Sequence, residues 1–158
     1  MVSSSRDYNP FSNIDLHIPA AFLEDVRRYA ASQSGEGEGS QGILPFRRYV
    51  DLWTLAIAIG AAENNFMTLS SSDQHRFIQG SVLQGDVSRI EFLQLIAIAH
   101  AEDPYVISDP RRVIEIADGY AAGGIQILLD WLISGTFTPI QSLTKNLLVY
   151  SDEKTRSQ

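Results

Sequence analysis

The dipeptide Asp109-Pro110, with the long apolar period behind it, constrains this chain more than any other feature. An aspartate at a helix start accepts a backbone N–H of the first turn. Proline suits the next position because the N–H it lacks would have no partner there. From that start Val113, Ile116, Ala117, Tyr120, Ala121, Gly124, Ile127, Leu128 and Trp131 recur at three- and four-residue spacing. The spacing predicts one helix to about Ile133, closed by Ser134-Gly135. Gly119, Gly123 and Gly124 interrupt it, each at a cost of about 1 kcal/mol relative to alanine. Glycines kept there point to close backbone approach by a neighbour, or else to a break at Gly123-Gly124 into two shorter helices.

Other segments follow the same helical logic. Leu52 to Ala62 is apolar nearly all round and predicts a central buried helix opened by Pro45. Asp86 reads as an N-cap for a helix to Ala101, apolar on more than one face and therefore also buried. Pro139 opens a last helix through Val149. Near the start, residues 20–33 carry Phe22, Val26, Tyr29 and Ala30 at helical spacing, with Glu24 and Arg28 one turn apart. Asn64 to Asp86 is less regular. Short strands fit it, as does a short helix capped by Ser70 to Asp73. The expected division is an irregular arm at 1–19, an N-terminal helix at 20–33, a Gly-rich tether at 34–44, a helical core at 45–150 and a frayed tail at 151–158. Within the arm Ile14, Leu16 and Ile18 alternate with Asp15 and His17, the pattern of a short extended piece. The fold class is mainly all-α: one domain of five or six helices, with a short β-hairpin near 67–83 as the β content.

The chain has 158 residues and no cysteine, which excludes a disulfide framework and any thiolate site. Its formal net charge of -7 disfavours broad, non-specific duplex binding. Ten of its twelve basic residues are arginine, and six of these form the pairs Arg27-Arg28, Arg47-Arg48 and Arg111-Arg112. Arginine forks suit carboxylates and phosphates, so Arg111, Arg112, Arg47 and Arg48 are candidate partner- or anion-binding residues. Codon bias and solvated helix faces are the favoured account of them. For Arg111-Arg112 an internal pairing with Glu102 or Asp103 is the favoured alternative. No apolar stretch approaches the ~20 residues of a membrane helix, and no signal-peptide core is present, so the expected location is the cytoplasm.

Catalytic patterns are missing. No second histidine lies three or four residues from His17, His75 or His100, and neither a serine elbow nor a phosphate-binding loop occurs. His100 with Glu102 and Asp103 offers metal-ligand chemistry, but a histidine suits a helix C-terminus without any metal. Glu115 and Asp118 lie one turn apart, as a carboxylate pair or as solvated acids. No catalytic residue, metal or cofactor is assigned.

The stretch Leu95 to Leu128, LIAIAHAEDPYVISDPRRVIEIADGYAAGGIQIL, resembles the C-terminal signature of the Dnd-system-associated family that is the fourth associated protein of DNA-phosphorothioation restriction loci. The parts that match are Leu95 to Ala99, Glu102-Asp103 and Tyr120-Ala121-Ala122-Gly123-Gly124. Upstream, Pro45-Phe46, Asp51 and the AIAIG ending at Gly60 form a second match. A basic loop expected after that glycine is replaced by Glu63-Asn64-Asn65. The resemblance implies a non-catalytic accessory subunit of a bacterial defence system that binds larger nuclease, helicase or ATPase components, with any nucleic-acid contact indirect. It implies packing roles for Tyr120, Gly123, Gly124 and Gly60. Two other readings stay open. One is direct nucleic-acid recruitment through arginine pairs. The other is a metal-carboxylate hydrolase around Glu102, Asp103, Asp109 and Glu115.

Overall fold

The computed structural model describes residues 8–30, 44–134 and 136–157. Its longest element, Pro110–Ile133 (here α4), is a continuous helix, about 36 Å long at 1.5 Å per residue. Asp109 caps it as expected by accepting the Arg112 N–H at 3.2 Å. The interior glycines do not break it.

Tyr49–Ala62 (α2) crosses α4 with backbones almost touching. A Cβ on Gly60 would lie 2.0 Å from the Tyr120 carbonyl oxygen, and one on Gly124 would lie 1.9 Å from that of Ala56. Both helices therefore need glycine at the crossing. After α2, Asn64 takes a left-handed turn at φ 51, a conformation asparagine tolerates better than most residues. The chain then runs back along α4. Asn65 Nδ2 donates to the Gly123 carbonyl at 2.8 Å, and the Met67 N–H donates to that of Gly119 at 3.1 Å. Gly123 and Gly119 leave the room for this, since a Cβ on either would collide with Asn65 or the Phe66 ring. The glycines of α4 thus divide between two neighbours: Gly124 faces α2, while Gly119 and Gly123 face residues 65–67.

Val87–Ala101 (α3) begins at the expected cap, where Asp86 accepts the Arg89 N–H at 3.2 Å. It buries one face, Ile90, Leu93 and Ala97, and leaves Leu95 65% exposed. The expectation of burial on several sides fails because α3 packs at the outside of the α2–α4 pair. Pro139–Arg156 (α5) starts with a capping box between Thr138 and Gln141. It runs past the expected end at Val149. Glu63, at the end of α2, accepts a hydrogen bond from Tyr150 and pairs with Lys154 at 2.9 Å. That long-range tie gives the last turns a partner that local sequence does not reveal.

The arm is part of the core. Asp15–Pro19 (β1) pairs antiparallel with Gln74–Gln79 (β2), so the strand expected within 67–83 takes its partner from the arm. The alternative capped helix there is not formed. Phe11, Leu16 and Ile18 are buried in the same cluster as Trp53, Leu93 and Ile125. Gly80 admits the arm: a Cβ there would lie 2.0 Å from the Phe11 carbonyl oxygen. The N-terminal helix is shorter than expected. A 3-10 turn at Ala20–Phe22 leads into Leu23–Tyr29 (α1), and Ala30 is already extended and bridged to Phe46. That extended bridge also delays α2 from Pro45 to Tyr49. The ion pairs on α1 are Arg27–Glu24 and Arg28–Asp25, in place of Glu24–Arg28. Nearly all of the tether expected at 34–44 lies outside the described residues.

The crossing makes a prediction of sign. Helix propensity alone has Gly124→Ala stabilise the fold by about 1 kcal/mol. Collision with the α2 backbone instead predicts a loss of about 1–3 kcal/mol in urea unfolding. A stabilised variant would show that the crossing is loose.

Candidate functional site

A cleft of about 490 Å³ opens between the arm, residues 66–69 and the first turns of α4. Its floor is a largely buried acid, Asp118, whose side chain is 13% exposed. Asp118 follows Ile114 by four residues and precedes Ala122 by four, which puts a carboxylate in an otherwise buried row of α4. Such a group needs partners. The arm supplies them: the His17 N–H donates to Asp118 Oδ1 at 2.9 Å, and His17 Nδ1 lies 3.1 Å from Oδ2. The β1–β2 register shifts between Leu16 and His17, and Phe77 is left without a Cα partner. A bulge of this kind re-aims the chain locally, and here the backbone N–H of His17 goes to α4. The Trp53 indole N–H, fully buried, bears on the same carboxylate but lies outside ordinary hydrogen-bond geometry.

Burial raises the Asp118 carboxyl, and its bonds to His17 pull the other way without cancelling the rise. The Asp118 hydrogen bond raises His17 above its ordinary 6.5, more strongly than burial lowers it. Both shifts mean that protons bind the folded chain more tightly than the unfolded one.

Around this floor stand Arg111, Arg112 and Glu115 from α4, Asp15 from β1, and Phe66 and Met67 from the crossing-back segment. Arg112 pairs with Glu115 at 3.2 Å, not with Glu102 or Asp103. Arg111 has no ion pair among the described residues, so the internal pairing expected for Arg111-Arg112 is replaced by a bond within α4. Arg47 and Arg48 precede α2, where Arg48 binds Asp51 and Arg47 is exposed. Asp51 also holds the half-buried Arg89 at 3.0 Å, and Asp86 holds it from the other side at 3.3 Å. Burial raises the Asp51 carboxyl, but the hydrogen bonds from Arg48 and Arg89 outweigh it and leave the pKa low.

The four acids of the metal-carboxylate reading go elsewhere. Asp103 and Asp109 accept helix-start N–H groups, Glu115 binds Arg112, and Glu102 ends α3 in a left-handed turn. Among the described residues no group of three or more His, Asp or Glu side chains is placed to hold a metal ion. His100 Nδ1 instead lies 3.0 Å from the Tyr120 hydroxyl, and the Phe66 ring packs against both side chains. Tyr120, Gly60, Gly123 and Gly124 thus lie at the α2–α4 crossing and its margin.

These signature residues match the family described as DNA sulphur modification system-associated protein 4, over residues 35–158. The chain belongs to that family. No curated protein and no solved structure matches it. The family match takes in Asp118, Arg111 and Arg112 but begins after the strand that carries His17. From the sequence, Asp118 reads either as one of a carboxylate pair with Glu115 or as a solvated acid. The signal available was its position in the Ile114–Ala122 row.

The His17–Asp118 pair sets a pH dependence. A histidine whose folded pKa is raised contributes stability fully below 6.5 and loses it as pH rises through the folded value. Melting temperature should therefore fall across that window in the wild type, and less steeply in His17→Gln. Equal slopes in the two proteins would remove His17 from the account.

Proposed function

We propose that the protein is a non-catalytic adaptor of a bacterial DNA-sulphur-modification-linked restriction or anti-phage system, acting by binding larger nuclease or ATPase components in the cytoplasm. Membership of the sulphur-modification-associated family supports an accessory role in that system. The observation that carries the adaptor reading is where apolar surface remains exposed. Of the ten large apolar side chains exposed among the described residues, five lie between residues 133 and 149: Ile133, Phe137, Ile140, Leu148 and Val149. Exposed apolar side chains gathered in one part of a chain favour protein–protein contact over solvation. They sit at the end of α4, in the connection to α5, and on α5 itself.

In this reading any nucleic-acid contact is indirect. The formal charge of -7 works against phosphate binding, and Arg48 and Arg112 are engaged within the chain. No helix among the described residues is long and apolar enough to cross a membrane.

Affinity purification of the tagged protein from its host, at low and high salt, tests the adaptor role. Stoichiometric recovery of the system's nuclease or ATPase subunits in both salts is expected. Phe137→Glu with Leu148→Glu should abolish that recovery while changing stability by no more than about 0.5 kcal/mol per site. Recovery of nucleic acid alone, lost at high salt, would overturn the proposal and favour direct recruitment through arginines.

A further inference from the structure

The cleft over Asp118 has a charge pattern that the fold alone does not require. Each of its carboxylates already has a basic partner. Asp15 has Arg76 at 3.2 Å, Glu115 has Arg112 at 3.2 Å, and Asp118 has His17 at 3.1 Å. Arg111 is left over. Of the arginines without an ion pair among the described residues, Arg111 lines the cleft, whereas Arg47 and Arg156 do not. Its position in the first turn of α4 is unfavourable to a cation, because the helix dipole is positive there. The N-cap Asp109 is occupied with the Arg112 backbone and forms no ion pair with Arg111.

The rest of the lining is mixed in a way that suits a small molecule. Phe66 and Met67 give an apolar wall, and the Asn13 and Gln74 amides offer both donors and acceptors. His17 is held at Nδ1 by Asp118, and its Nε2 makes no hydrogen bond among the described residues. The volume, about 490 Å³, lies within the usual range for small-molecule sites. A guanidinium fork recognises a carboxylate or a phosphoryl group through two parallel hydrogen bonds.

We propose that this cleft binds a small organic anion, with one carboxylate or phosphoryl group held by Arg111 and a flat apolar body against Phe66 and Met67. The site is independent of the exposed α4–α5 surface that supports the adaptor reading. A ligand seated there touches the arm, β2 and α4 together, since Asn13, Gln74 and Arg111 come from those three parts.

Isothermal titration calorimetry on the full chain distinguishes the two sources of the oxyanion. One panel is nucleoside monophosphates, and the other is aromatic monocarboxylates such as indoleacetate and N-acetylphenylalanine. Inorganic phosphate, acetate, adenosine and indole serve as half-ligands. Binding is expected within one panel and weaker for its half-ligands. Arg111→Gln should weaken it about tenfold or more, with Arg111→Lys intermediate and Arg47→Gln unchanged. Arg111 is solvent-exposed, so these variants are expected to melt with the wild type. Failure of both panels to bind at millimolar concentration would overturn the proposal. So would equal affinity in Arg111→Gln, or half-ligands that bind as well as the whole molecules.

Discussion

At the centre of the fold two helix backbones meet without side chains between them. Gly60 on α2 and Gly124 on α4 each rest against the other helix's carbonyls. The approach brings Trp53 and Ile57 of α2 into one core with Ile116 and Ile125 of α4. Close packing of this kind gains many small dispersion contacts that a wider crossing would forfeit. It also explains why Gly124, a poor helix former, sits inside a 24-residue helix. The carbonyls of Gly119 and Gly123 serve as docking points for the strand-like return after α2, so one helix surface organises two neighbours.

The arm is built onto that helix through chemistry of a different kind. A carboxylate in the buried row of α4 would be costly alone. The backbone and ring of His17 satisfy it, and the price of burial becomes a reason for the arm to stay. The β1–β2 ladder, the seating of Phe11 over Gly80 and the Asp118 bonds all fasten the same segment. The cleft lies where these fastenings meet α4. Its ligand chemistry and the arm's attachment therefore share residues.

Much of the helical plan was legible because its signals are local. Asp109-Pro110 and Asp86 act on their own first turns, so their caps could be read directly. What stayed hidden depends on residues far apart in the chain. β2 finds its partner about sixty residues earlier, and Asp118 finds His17 at a separation of 101. The last turns of α5 hold because Lys154 and Tyr150 reach Glu63. The arginine pairs show the same limit: Arg112 turned to Glu115 on its own helix, and Arg111 pairs with no acid among the described residues. The apolar pattern of α3 overstated its burial, since Leu95 faces solvent despite its composition. Periodicity identifies a helix but does not say how many neighbours it has.

The arm and the family region should unfold as one cooperative core centred on α4. Native-state hydrogen exchange, read residue by residue, tests it most directly. The His17 amide, bonded to Asp118, is expected to open with the same free energy as the amides of α4 around Ala121 to Ile125. Exchange of His17 and its β1 neighbours through a low-energy opening, with α2 and α4 still protected, would contradict it. The arm would then be a detachable strap on a core complete without it.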